Sequence, residues 1–148
     1  MTMVAAYGLA FDVPPGWDGR IYQRPPDPGQ TTHPVLHAGN FGLPDQRGDY
    51  GAGAVEMMGP QNVFVALLEF HPDSTGAALF SSTRPERIDP AAFSPASLQR
   101  AIPGQAGTQA FFSDAGRAFG LYAVLGGYAA RANLVPLVND AVSRITIT

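Results

Sequence analysis

The residues with the most chemical capacity are three histidines, His33, His37 and His71. His33 and His37 stand in H-x-x-x-H spacing, which on a helix would bring both imidazoles to one face. Pro34 and the β-type residues around it argue for a strand instead, where four residues at ~3.3 Å each set the rings ~13 Å apart, too far for one metal ion. His71 precedes Pro72 and could join them, but no HExxH-type carboxylate accompanies it. The competing reading for all three is a polar strand face or a loop. Ser81, Ser82 and Ser113 lie in no GxSxG elbow, and a serine–histidine–aspartate triad is defined by geometry rather than by spacing. Asp27, Asp45 and Asp49 have glycines nearby, yet the alternating acids and closing glutamate of an EF-hand are missing. Gly51 and Gly53 form a fragment of GxGxxG without the strand before it or the helix after it. Neither a cofactor nor a metal is expected.

Glu69 closes an otherwise apolar run, Val63 to Phe70. A carboxylate on that face should be paired if buried, with Arg117 or Arg100 as partner, or else should stand in water at the strand end.

Composition narrows the chemistry further. The nine basic residues are all arginine, so a Walker A lysine, a Schiff-base lysine and a lysine general base are ruled out. The absence of cysteine removes thiol nucleophiles, iron–sulfur clusters and cysteine-ligated zinc. Lysine-free, Ala-, Gly- and Pro-rich composition points to a GC-biased genome of the actinobacterial kind. A net charge of −3 with scattered arginines argues against nucleic acid, which needs clustered cations. Met1 to Ala10 has no basic residue ahead of its apolar part and does not read as a signal peptide. No run of about 20 apolar residues is present to insert into a membrane. A cytoplasmic location is expected, and association with a secreted or membrane-linked assembly is compatible with it. Apolar residues make up 45% of 148 and charged residues only 14%, which describes one globular domain, residues 1–148, with a weakly charged surface.

The elements that must position these residues follow from periodicity. Two apolar runs, Ala106 to Phe112 and Ala118 to Leu125, flank Ser113-Asp114-Ala115-Gly116 and predict a β-hairpin. The second run is apolar on both faces, which places it inside a sheet. Val63 to Phe70 is likewise apolar on both faces and belongs near the centre. Tyr7 to Val13 alternates and reads as a first strand, ended by Pro14-Pro15-Gly16, with Trp17 as a packing anchor beneath the turn. Arg20 to Arg24 and Thr32 to Phe41 are further strands, Pro34 allowing the latter only an edge position or a start. Pro25 to Gly29 and Gly42 to Gly53 are surface loops. A short helix is expected over Pro95 to Ala101, capped by Ser94. Leu134, Leu137, Val138, Ala141, Val142 and Ile145 recur at helical spacing with Asn133 as N-cap, and Ile145 and Ile147 begin a closing strand. The sum is an α+β fold: an antiparallel sheet with a C-terminal amphipathic helix packed on one face.

Two stretches carry a family likeness. Gly8-Leu9-Ala10-Phe11-Asp12-Val13-Pro14-Pro15-Gly16-Trp17 resembles the opening strand and Pro-x-Gly-Trp turn of the PsbP-like superfamily, with Pro15 in place of the usual acidic residue. The final helix and short strand resemble that superfamily's ending. The superfamily includes photosystem extrinsic subunits, a Ran-binding nuclear transport factor, DcrB-like proteins and chaperones for secretion effectors. The resemblance implies a non-catalytic α+β sandwich that works by binding other proteins.

Two functions are therefore expected to compete. The first is an accessory protein, an adaptor, structural subunit or chaperone-like partner of a larger assembly, with possible homo-oligomers. Phe41, Tyr50, Met57 and Met58, apolar groups in or beside flexible loops, are its candidate contacts, against core packing as the alternative. The second is a small-molecule-binding protein or hydrolase-like enzyme using a sheet/loop pocket, which needs His33, His37 or His71 to converge.

Overall fold

Residues 118–125 alternate between two apolar faces, so the strand they form needs a covering layer on each side. The computed structural model describes residues 2–148 and places that strand, β7 (Arg117–Leu125), inside a five-stranded antiparallel sheet. Its partners are β5 (Val63–Phe70) and β6 (Ala106–Asp114), and beyond β5 come β4 (Val35–Gly39) and β3 (Asp18–Tyr22). Pro34 lies just outside β4, so no ladder donor is lost.

One face of this sheet, formed by Val63, Val65 and Leu67 of β5 and Phe119, Leu121, Ala123 and Leu125 of β7, carries the larger core. The helix α1 (Arg131–Ser143) covers it with Leu134, Val135, Val138, Ala141 and Val142. Val135 takes the place expected of Leu137, which is 37% exposed. The helix also begins earlier than an Asn133 cap would allow. A 3-10 turn over Tyr128–Ala130 leads straight into it, anchored by Tyr128 N–H on the Gly104 carbonyl and by the Arg131 guanidinium over the Tyr128 ring. Pro136 therefore sits past the first turn, on the exposed side. Among the described residues no helix is long and apolar enough to cross a membrane.

The same face is completed by a second, three-stranded sheet, β1 (Thr2–Ala6), β2 (Leu9–Val13) and β8 (Ile145–Ile147), in the order β1-β2-β8. The alternation over residues 7–13 is thus the second arm of a hairpin whose first arm, β1, is mostly exposed. Its two-residue turn uses Tyr7 at φ 56° and Gly8 at φ 74°, mirrored in the main hairpin by Ala115 at 53° and Gly116 at 73°. Positive φ at both positions matches the right-handed twist of the paired strands. Leu9 and Phe11 point from β2 into the core, and Trp17 packs against it beside the Pro14–Trp17 turn, where Gly16 takes φ 80° at the third position of a type II turn.

The irregular excursion over residues 71–105 does not contain the expected helix at Pro95 to Ala101. The segment is held instead by local turns and by bonds to the sheet. Ser94 and Gly107 exchange two hydrogen bonds at the β6 edge, and Gln99 N–H donates to the Tyr122 hydroxyl. Ala96 N–H donates to the Ser94 hydroxyl and Ser97 N–H to the Ser94 carbonyl, so the segment opens as a capped turn, but with the Gln99 amide given to Tyr122 it does not continue into an i→i−4 ladder. The excursion is tied to α1 by Asn139, whose side-chain carbonyl accepts from Ile88 N–H at 2.8 Å and whose amide donates to the Ile88 carbonyl at 3.0 Å. Asn139→Ala removes both partners from a part-buried peptide, and we expect it to lower stability by roughly 1–3 kcal/mol in urea titration with the m-value unchanged.

Candidate functional site

Strand geometry sends alternate residues of β3 to one side, and on the side away from α1 those residues are Asp18, Arg20 and Tyr22, with Arg24 following the strand. All four grip the long loop that leaves β4. Asp18 accepts from Leu43 N–H at 2.9 Å. Arg20 donates to the carbonyls of Pro44 and Gln46. The Tyr22 hydroxyl donates to Asp49 Oδ1 at 2.9 Å, and Arg24 donates to the same oxygen and to the Arg47 carbonyl. Arg47 in turn lies over the Tyr22 ring, 4.8 Å from its centroid. The glycine-rich loop over residues 42–53 is therefore a strap held at several points.

His37 is the centre of this arrangement. It pairs across the strands with Arg20 and is fully buried, contrary to the polar face or loop expected of it. Tyr22 and Phe64 meet its ring edge-on at 5.3 and 5.0 Å. Nδ1 faces the Arg20 guanidinium at 3.1–3.2 Å, and Nε2 lies 2.9 Å from the Asp49 carbonyl. Arginine offers only donors, so Nδ1 must accept and the proton resides on Nε2, donated to Asp49. Burial pushes the His37 pKa down to about 4, and the nearby Arg20 charge acts in the same direction. At neutral pH His37 is a neutral latch with both nitrogens engaged.

The other two histidines do meet. His33, ahead of β4, and His71, after β5, stand with ring centroids 5.9 Å apart, and His33 also lines a cleft of about 340 Å³ together with Asp49, Tyr50 and Glu69. His71 Nδ1 already accepts from Asp73 N–H at the start of a 3-10 turn. Among the described residues no three His, Cys, Asp or Glu side chains gather where they could hold a metal ion. Glu69 is paired. Arg117 meets both its oxygens, at 2.9 and 2.6 Å, with the two side chains 18% and 9% exposed for arginine and glutamate respectively. The pairing follows from register, because Glu69 opposes Phe119 and so lies diagonal to Arg117, whereas Arg100 pairs with Glu56.

Comparison with protein-family models, curated proteins and solved structures finds no match.

The candidate contacts lie on the face of the large sheet that α1 does not cover. Phe41, Tyr50 and Met58 are half-buried against a second core formed by Tyr22, Val35, Phe64, Leu68, Tyr122 and Val124, while Met57 is 54% exposed on a 3-10 turn. Only loops roof this face: the strap with its continuation to Met58, the 3-10 turn carrying Phe80, and residues 98–105. Between the strap and residues 98–105 lies a slot of about 150 Å³, walled by Tyr50, Val55, Leu98, Tyr122 and Val124. Arg100 and Glu56 pair beside it at 3.2 Å. Gln105 joins the two loops, its Nε2 donating to the Val55 carbonyl at 2.7 Å. The slot escapes sequence reasoning because its walls come from segments some 50 residues apart that share no spacing signal.

Proposed function

We propose that this chain is a non-catalytic accessory protein that binds another protein through the loop-roofed face of its large sheet, as an adaptor, structural subunit or chaperone-like partner. The observation that carries the reading is the latched strap. Asp18, Arg20, Tyr22, Arg24 and His37 hold it in one conformation, so Tyr50, Met57 and Met58 present a surface already ordered before a partner arrives, which lowers the entropic cost of association. Two of the groups with catalytic capacity are engaged in structure, both nitrogens of His37 in the latch and Glu69 in its ion pair. The PsbP-like resemblance at both ends of the chain supports the same reading. A pull-down from the native host with tagged protein is expected to recover a stoichiometric partner that Met57→Asp, at an exposed position, releases. No such partner, together with a monodisperse monomer at high concentration, would refute the proposal.

A further inference from the structure

The outer edge of β1 is chemically open. Thr148 N–H donates to the Gly8 carbonyl and Asp12 N–H to the Arg144 carbonyl, so the even-numbered residues on this side of the hairpin serve β8. The odd-numbered Leu9, Phe11 and Val13 therefore bond to Ala6, Val4 and Thr2, their partners in β1. What remains are the N–H and C=O groups of Met3 and Ala5, which point away from β2 and meet no hydrogen-bond partner among the described residues. The other sheet edges are guarded. Ser94 and Ser82 bond to the outer edge of β6, β3 carries Asp18 and Arg20, and β8 has only three residues. The strand β1 reads Thr-Met-Val-Ala-Ala, with neither charge nor proline to discourage pairing, and its Met3 is 60% exposed.

A free backbone edge is complementary to an extended strand, and the sequence of β1 suits β1 itself. Two copies set antiparallel about a two-fold axis through Val4 bring Met3 of each opposite Ala5 of the other. In that register the outward N–H and C=O of Met3 pair with those of Ala5 on both sides of the axis, and every free group of the edge is satisfied. A register one residue off would set Met3 and Ala5 against residues whose groups already serve β2. The side chains agree with the first arrangement. Met3 and Ala5 share the exposed face, so each long thioether lies over a small methyl group, while Val4 stays on the other face, packed against the larger core. No like charges meet across the seam. We infer that this chain forms an isologous dimer through β1, joining its three-stranded sheet edge to edge with that of a second copy. The seam belongs to the small sheet, on the α1 side, so the loop-roofed face stays open and the inference stands apart from the accessory-protein proposal.

Sedimentation equilibrium on the intact chain, run from about 10 μM to about 1 mM to cover a small interface, is expected to show a reversible monomer–dimer equilibrium. Amide exchange at Met3 and Ala5 should slow as the dimer forms. Ala5→Pro removes an N–H that β2 does not use, so it should raise the dimer dissociation constant by roughly 5- to 100-fold while leaving the unfolding midpoint of the monomer nearly in place. Met3→Lys, which sets two ammonium groups diagonally across the seam, should act in the same direction, whereas Met57→Asp on the loop-roofed face should leave the dimer intact. A monomer at every concentration, or a dimer that both Ala5→Pro and Met3→Lys leave intact, would overturn the inference and leave the accessory-protein reading standing. Amides of Met3 and Ala5 that exchange freely in the concentrated protein and slow only when a partner from the host is added would overturn it as well, giving the edge to a foreign strand.

Discussion

Replacing Arg117 with alanine should destabilise the protein by roughly 3–5 kcal/mol, the range for removing one partner of a buried ion pair. The size follows from how fully the guanidinium is used. Nε and one terminal nitrogen grip Glu69, that same terminal nitrogen reaches the Tyr7 carbonyl, and the other reaches the carbonyls of Gly8 and Thr148. Five bonds match the five N–H donors arginine possesses. The planar group also lies over the Phe119 ring at 5.2 Å. One side chain thus fastens the turn of the small sheet and the end of β8 to the large sheet. Arg117→Lys keeps the charge but cannot reproduce the planar fork, so it should recover only a minor part of the loss. Urea denaturation of the three proteins at neutral pH checks this. A loss within the 0–1 kcal/mol typical of surface pairs would refute it.

The second large effect is a dependence on acid. The His37 pKa falls from 6.5 in the unfolded chain to about 4 in the folded one, so the folded state binds fewer protons across that window and acid favours unfolding. The contribution is complete above pH 6.5, is lost progressively as pH falls towards 4, and amounts to about 3 kcal/mol. Protonation would also set an Nδ1–H against the Arg20 guanidinium, so the strap should loosen first. His37→Gln retains an acceptor and a donor but does not titrate. Its stability should fall less between pH 6.5 and 4 than that of the parent, by about the same 3 kcal/mol. Parallel pH profiles for the two proteins would disprove the assignment.

How much of this was legible depended on whether a signal was local. The β6–β7 hairpin, β5 and the C-terminal helix announce themselves in continuous or periodic apolar runs, and the structure places all of them in the expected α+β arrangement. The strand β1 was not legible, because its turn puts a tyrosine where glycine or asparagine is the usual signal. The helix expected at 95–101 has adequate local propensity and opens with the expected Ser94 cap, but Ser94 is pinned to Gly107 of β6 and the Gln99 amide is taken by Tyr122, which no local pattern reveals. For Glu69 the chain alone offered two arginines, and only the β5–β7 register chose between them. His37 was expected on a polar face or loop, because the Arg20 that makes its burial tolerable appears only with the β3–β4 pairing. The slot had no local signal at all.

The three-stranded sheet joins residues separated by almost the whole chain, since Leu9 and Phe11 of β2 pair with Ile147 and Ile145. During synthesis the opening hairpin leaves the ribosome long before its closing strand exists. Leu9 and Phe11, 2% and 0% exposed once folded, must then wait in water until residues 145–147 emerge. Closing so long a loop is entropically late and kinetically slow, and an apolar hairpin with the far edge of β2 still open in the meantime invites association with other nascent chains. Yield in a host should therefore respond to holding chaperones that shield the first fifteen or so residues, more than to any change that strengthens the large sheet.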